Sequence, residues 1–466
     1  MQADLTSIRE KLQKYDQAHL LAHWHGLDEE ERQLLLAEIA ALDLDVVRTL
    51  FQERDKVYEV PSEDRITPAP VLPESAGTSA TRSRGENMLA SGKVAVLVVA
   101  GGQGSRLGFE HPKGMFPIGP VTQRSLFQIH VEKVRALQNR YGGSIPFLVM
   151  TSPATDEETK QFFREHGYFG LPESDVHFFR QGTMPAVDLA TGQLLMDAPH
   201  QLFASPDGHG GMLAALAGSG LLRRLLDRGI EALYYFQVDN PLVKIADPAF
   251  LGMHAENAAE ISLKIVPKED PLDKLGNLVL IDGRCSIIEY SDLPEALGAK
   301  RTPEGKLWIW AGSPAIHIFD MAFLERMTGQ GVRIPFHIAR KKVPYLDKEG
   351  RLVQPECENA LKFERFIFDL LPLADRCLLV ETSRRKEFMP LKNGSGSDSP
   401  ETVRQALTNL YASWLEKAGM RVPRTEKGDV DIPVEISPLF ALDADELKRR
   451  LPAGWSLQGS QVLLET

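Results

Sequence analysis

The apolar, mostly β-branched run that opens at Val94 reads as a buried strand, expected over 93–100. Similar apolar runs predict strands over 146–151, 176–180, 233–238 and 261–266. Between them the apolar positions fall at helical spacing, which predicts helices over 124–140, 156–166, 210–228 and 320–328. Strands alternating with helices imply an α/β core from about residue 90 to 385, with a mostly parallel central sheet. In such cores ligands gather at the C-terminal ends of the strands. Ala100–Gly108 and Asp239 both fall at such ends and are expected to face one crevice.

The flanks have a different pattern. Residues 4 to 53 read as two or three helices, with Leu34, Leu35, Ile39, Leu42, Val46 and Leu50 spaced as an apolar stripe. Asp28-Glu-Glu-Glu-Arg32 reads as the solvated first turn of one of them. Residues 61–86, with several prolines and a Ser/Thr/Gly stretch, read as an irregular connection. Asn393-Gly-Ser-Gly-Ser-Asp-Ser-Pro400 reads as a flexible link before an amphipathic helix over 401–418. Beyond Pro423 short apolar and polar pieces alternate, which suggests a small β-rich or mixed domain. The expected division is therefore a helical segment and linker over 1–88, a core over 89–394 and a C-terminal domain over 395–466.

Composition narrows the classes. The chain has 466 residues, 43% of them hydrophobic, which allows two or three globular domains. With 53 basic and 64 acidic residues the net charge is −11, which disfavours non-specific binding to nucleic acid or to an anionic membrane. No apolar run reaches the roughly 18 residues of a transmembrane helix, and Met1-Gln-Ala-Asp-Leu-Thr has neither a basic nor an apolar leader region. Cys285, Cys357 and Cys377 are few, far apart and without metal-type spacing, so reduced thiols and a cytoplasmic location are expected.

The chemistry concentrates where the first strand ends, in Ala100-Gly-Gly-Gln-Gly-Ser-Arg-Leu-Gly108 and His111-Pro-Lys-Gly114. Glycines free backbone N–H groups to wrap a phosphate chain, and Arg106 and Lys113 add positive charge. The glycines miss the G-x-G-x-x-G register of dinucleotide folds, which argues against a dehydrogenase. Gly114 follows Lys113 where a P-loop needs a hydroxyl. On spacing alone the segment reads equally well as a glycine-rich turn with solvated charges. Asp239-Asn-Pro241 likewise reads as the start of a turn or as a hard oxygen ligand.

Ala100–Gly108 with Pro112-Lys-Gly-Met115 and Ser125-Leu-Phe-Gln-Ile129 closely resembles the eukaryotic-type UDP-N-acetylhexosamine pyrophosphorylases, within the wider UTP:sugar-1-phosphate uridylyltransferases. Ser105 replaces the family's threonine. Gln181-Gly182, Pro206-Asp-Gly-His-Gly-Gly211, Val238-Asp-Asn240, Val243-Lys-Ile-Ala-Asp-Pro248, Glu289-Tyr-Ser291, Lys341-Lys-Val-Pro-Tyr345, Lys362–Asp369 and Pro390-Leu-Lys-Asn393 follow in the family's order. His19-Leu-Leu21 with Trp24 extends the resemblance, which spans about residues 15–417.

The resemblance implies a Rossmann-like nucleotide-sugar transferase core. It also implies transfer of UMP from UTP to a sugar 1-phosphate, with Mg2+, to give a UDP-sugar and pyrophosphate. N-acetylglucosamine 1-phosphate is the sugar expected, in a monomer or weak homodimer. By the same resemblance, Arg106, Lys113 and Lys362 match catalytic cations, and Asp239 matches the metal ligand. Ala100, Gly101, Gly102, Gln181, Gly208 and Lys392 match nucleotide-binding positions. His209, Gly276, Glu289, Tyr290, Ser313, Phe366 and Phe368 match the sugar pocket. His209 and Ser313 stand where the N-acetylhexosamine branch usually has asparagine, and Gly-His-Gly is common in UDP-glucose and broad UDP-sugar enzymes. A UDP-glucose or broad-specificity pyrophosphorylase, or a non-catalytic nucleotide-sugar binder, are the alternatives.

Overall fold

The structure is a computed structural model that describes residues 4–56, 60–457 and 459–465. The chain forms two compact units, each assembled from separated segments: residues 1–59, 181–212 and 333–369 in the smaller, and 60–180, 213–332 and 370–466 in the larger. These boundaries do not follow 88/89 and 394/395.

The larger unit is built on an eleven-stranded sheet. Its main path runs Ile66–Pro68, Gly276–Ile281, Ala311–Ser313, Ile261–Pro267, His317–Asp320, Ala232–Gln237, Val94–Val99, Phe147–Thr151, Val176–Arg180. The five strands expected from apolar runs are all present, within a residue or two of their expected ends. Val94–Val99 is buried along its whole length, as its unbroken apolar pattern requires.

The sheet is mixed rather than mostly parallel. Ala232–Gln237, Val94–Val99, Phe147–Thr151 and Val176–Arg180 run parallel, and the first three are each followed by helical segments. Gly276–Ile281, Ala311–Ser313 and His317–Asp320 make antiparallel pairs, with one another or with Ile261–Pro267. Gly276–Ile281 and Arg284–Ile288 form a hairpin closed by Asp282 (φ 50°) and Gly283 (φ 80°). Two successive positive φ angles suit the Asp-Gly pair of a two-residue hairpin turn.

Two further segments differ from expectation. Ser79–Ala90 is a helix inside the stretch read as irregular. Thr78 caps it by accepting from Thr81 N, and it lies tightly on the helix Pro248–Glu256. A Cβ on Gly85 would fall 1.9 Å from Pro248 O, and one on Gly252 would fall 1.8 Å from Thr81 O. The Ser/Thr/Gly composition thus marks close helix packing, not a loop. The helix expected over 210–228 is broken into Met212–Gly218 and Leu221–Asp227 around Gly220, at φ 75°.

After the link, Pro400–Lys417 forms the expected helix, capped by Ser399. Val434–Ile436 and Val462–Leu464 pair in parallel around the helix Ala444–Arg450. Val403, Leu407, Ile436, Leu447 and Val462 join the core cluster that also holds Val94, Val96 and Phe127. Buried Glu435 accepts from Val121 N (2.7 Å) and Thr122 N (2.8 Å) and pairs with Arg124 (3.2 Å). The C-terminal stretch is thereby part of the larger unit's core.

In the smaller unit the helices Leu5–Lys14, Glu29–Ala41 and Leu44–Gln52 pack with Val187, Leu202, Leu361 and Phe363 in one apolar cluster. Leu35, Ile39 and Leu50 are buried as the stripe predicts, whereas Leu34 is 52% exposed. Asp28 and Glu31 form a reciprocal capping box at the acidic first turn. Gln17 donates to Gly192 O (3.2 Å) and accepts from Leu194 N (2.8 Å), which secures the helices to the segment 181–212. A three-stranded antiparallel sheet, His337–Lys341, Ala360–Glu364 and Val187–Asp188, carries Lys362.

Candidate active site

In the larger unit, Val94–Val99 and Ala232–Gln237 are neighbouring parallel strands in the register Val99↔Gln237. Their C-terminal ends deliver Ala100–Gly108 and Asp239 to the same edge, as expected. Ala100 is buried and donates its N–H to Met150 O (2.8 Å), Gly101 is half-buried, and Gly102 is exposed. The glycine segment folds back on itself, with Lys113 N donating to Gly102 O (3.0 Å) and Gly104 N to His111 O (2.9 Å). Gly114 lets this loop lie on the core, because a Cβ there would meet the Phe127 ring at 2.2 Å.

Three predicted residues meet at one carboxylate. Lys392 Nζ lies 2.7 Å and Lys113 Nζ 3.4 Å from Asp239 Oδ2. Burial alone would raise the Asp239 pKa, but the two ammonium groups override it and hold the carboxyl below its ordinary value. Attraction to Asp239 raises the pKa of Lys392 despite its burial. Arg106 is exposed on the single turn Ser105–Leu107, and its charge acts on Lys392. The result is a cluster of cations around one ionised carboxylate.

Residues without a predicted role hold this arrangement. Asn240 donates to Glu387 O (2.7 Å) and accepts from Met389 N (3.1 Å), while Leu391 N donates to Asp239 O (2.8 Å). These bonds strap the segment bearing Lys392 to the turn bearing Asp239. From the helix Leu126–Tyr141, His130 Nε2 donates to Val238 O (2.9 Å), and Lys133 Nζ donates to Pro241 O (2.5 Å) and Val243 O (2.9 Å). At i and i+3 the two side chains share one helix face and grip both sides of Asp239. Asn240 was visible in the Val238-Asp-Asn240 motif, but nothing in the spacing of His130 or Lys133 marked either residue.

Gly276, Glu289 and Ser313 gather at another part of this unit. Gly276 and Ser313 are cross-strand partners, and a Cβ on Gly276 would lie 4.0 Å from Glu289 Oε1. Tyr290 beside them is 49% exposed. Buried Lys268 donates to Asn277 Oδ1 (2.6 Å), and Asn277 Nδ2 donates to Ile288 O (3.1 Å). This chain of bonds fixes the residue that precedes Glu289; neither Lys268 nor Asn277 was predicted.

The smaller unit holds Gln181, Gly208, His209, Lys362, Phe366 and Phe368. Gln181 is buried. Gly208 has φ 84° and lies so close to the chain that a Cβ would fall 2.4 Å from Arg365 O. The contact is fixed by Arg365 N donating to Asp207 O (2.7 Å), Gly210 N donating to Arg365 O (2.8 Å) and an Asp207–Arg365 pair at 3.5 Å. Ile367 N donates to His209 Nδ1 (3.2 Å), so a neutral His209 ring carries its proton on Nε2. That ring lies 5.4 Å from Phe366 and 6.1 Å from Phe368, which stack on each other at 5.0 Å. Phe363 and Leu371 are core residues, whereas Phe366 and Phe368 are only half-buried. Lys362 Nζ sits 4.9 Å over the Phe203 ring, and burial lowers its pKa.

Among the described residues no three His, Cys, Asp or Glu side chains are grouped to hold a metal ion. Asp239 therefore stands among cations, with Asp398 the second carboxylate whose charge reaches it. Such a donor fits Mg2+ held chiefly by phosphate oxygens and water. It does not fit a preformed all-protein cage. Among the described residues no helix is long and apolar enough to cross a membrane.

Comparison with known proteins agrees with this geometry. The UTP–glucose-1-phosphate uridylyltransferase family (UDPGP) matches residues 49–440. The UDP-N-acetylglucosamine pyrophosphorylase of Saccharomyces cerevisiae is 35% identical, over 89% of this chain and 92% of its own. The UDP-N-acetylhexosamine pyrophosphorylase-like protein 1 of Xenopus tropicalis is also 35% identical, over 95% of this chain and 93% of its own. The crystal structure of the uridine diphosphate N-acetylglucosamine pyrophosphorylase from Trypanosoma brucei, in complex with an inhibitor, superposes with a TM-score of 0.83 at 27% identity. That match covers 99% of this chain and 98% of the other. With the family matched across most of its length and the cation cluster at the expected strand ends, the chain belongs to the UTP–glucose-1-phosphate uridylyltransferase family.

Proposed function

We propose that the protein is a UTP:sugar-1-phosphate uridylyltransferase that makes UDP-N-acetylglucosamine and pyrophosphate. The observation that carries this reading is the convergence of Lys113 and Lys392 on Asp239 at the ends of adjacent parallel strands. In the reaction a sugar-phosphate oxygen attacks the α-phosphorus in line, and pyrophosphate leaves on the opposite side. The attacking phosphate is already ionised, so no strong general base is needed. Positioning and charge neutralisation are the catalytic tasks.

Arg106 and Lys113 are assigned to the triphosphate and to the charge that grows on departing pyrophosphate. Asp239 is assigned to Mg2+, which supplies charge neutralisation at phosphate oxygens when bound. Lys392 and Lys362 neutralise the remaining phosphate charge. Ala100, Gly101 and Gly102 offer backbone to the nucleotide, and Gln181 and Gly208 are assigned to uracil, since an amide side chain both donates and accepts. Gly276, Glu289, Tyr290 and Ser313 are assigned to sugar hydroxyls, and His209, Phe366 and Phe368 to the wall that faces the sugar substituent.

A second reading keeps the reaction and replaces the sugar with an unacetylated hexose 1-phosphate. His209 favours it: the ring is fixed by Ile367 N and flanked by Phe366 and Phe368, where the N-acetylhexosamine branch usually offers an asparagine amide. A pyrophosphate-release assay with UTP and the 1-phosphates of N-acetylglucosamine, N-acetylgalactosamine, glucose and galactose separates the two. The first reading predicts the highest kcat/KM with N-acetylglucosamine 1-phosphate. Preference for an unacetylated sugar selects the second, and no release with any of the four contradicts both.

A further inference from the structure

Cys285 and Cys377 are 92 residues apart in sequence, yet the fold sets their segments side by side, with Arg284 donating to Pro372 O (3.0 Å) and lying 3.8 Å from Asp375. Cys285 lies on the strand Arg284–Ile288, opposite Leu280, and Cys377 opens the strand Cys377–Glu381, opposite Ile261. Both side chains are partly buried and line one open cleft of about 640 Å3, together with Arg284, Asp375, Arg376 and Leu378. Cys357, by contrast, is exposed and belongs to the smaller unit. The pair has two properties a reactive dithiol needs, a shared cleft and access for a small oxidant. Neither residue is used by the proposed transferase chemistry.

We propose that Cys285 and Cys377 are a redox-reactive dithiol that closes to an intramolecular disulfide when the protein meets a peroxide. The neighbouring Cys377 thiol lowers the Cys285 pKa, and Cys285 in turn raises that of Cys377. Cys285 is thus the attacking thiolate and Cys377 the resolving thiol. The Cys285 sulfur takes one peroxide oxygen as the O–O bond breaks, leaving a sulfenic acid and hydroxide, which is protonated to water. The Cys377 sulfur, as it loses its proton, then attacks Cys285 Sγ and expels the second oxygen as water. Two thiols lose two electrons and two protons, and one peroxide becomes two waters. The bridge ties the strand that leads to Glu289 to the strand Cys377–Glu381.

The test uses the full-length protein carrying Cys357→Ser, so that only the paired thiols remain. Brief treatment with hydrogen peroxide is followed by thiol titration and intact mass. The expected result is loss of both titratable thiols with loss of two hydrogen masses, a cross-linked Cys285–Cys377 peptide, and full recovery with dithiothreitol. Adding Cys285→Ser or Cys377→Ser should leave one thiol that gains oxygen instead. Persistence of both thiols, oxygen gain at each sulfur without a bridge, or a disulfide only between molecules overturns the proposal.

Discussion

Lys113 and Lys392 reach one oxygen of Asp239 from sequence positions 126 and 153 residues away. Spacing could not join them, because each reads as an ordinary surface charge until the sheet places it. The family resemblance named all three and carried Asn240 in a motif, whereas the roles of His130 and Lys133 were legible only in the folded chain. Arg106 offers a clean test at this scale because it is exposed on its own short turn. Arg106→Ala should lower turnover by about 10²-fold or more, with the melting temperature nearly unchanged. Wild-type turnover would remove Arg106 from the mechanism.

The buried histidines give the protein an acid-sensitive stability. Burial lowers the pKa of His130 to about 3 and of His254 to about 4, from an ordinary 6.5. Both rings stay neutral in the folded protein while the unfolded chain takes up protons below 6.5. Their contribution is complete above that value and is lost as pH falls towards the folded pKa values, at about 1.4 kcal/mol per pH unit per group. Urea midpoints should therefore fall between pH 7 and 5. The double variant His130→Gln/His254→Gln should flatten that decline; an unaltered pH dependence would show that these rings do not produce it.

At the scale of elements, the unbroken apolar runs were the most legible feature, because a strand buried on both faces has no polar positions to confuse the pattern. The antiparallel part was overlooked although Asp282-Gly283 between apolar flanks carried its signal. The helix Ser79–Ala90 was not legible from local propensity, since its small residues serve contact with Pro248–Glu256. Gly85→Val should test that contact. The added side chain meets the Pro248 carbonyl, so the variant should lose about 2–3 kcal/mol in urea unfolding. An unchanged midpoint would mean that the two helices do not pack as described.

At the scale of the whole molecule, each unit gathers segments from across the chain. The N-terminal helices share a core with residues 181–212 and 333–369, and the C-terminal stretch shares one with the large sheet. Domain limits drawn from linker-like composition could not register such long-range partnership. What survives every scale is the cation cluster around Asp239, set in a chain whose net charge is −11. Pyrophosphate release from UTP and N-acetylglucosamine 1-phosphate with saturating Mg2+, compared among the wild type, Lys113→Ala and Lys392→Ala, tests that cluster most directly. Turnover should fall by about 10²–10³-fold in each variant, with circular dichroism showing the fold retained. Wild-type turnover in either folded variant would contradict the assignment of the cluster as the phosphate-handling centre.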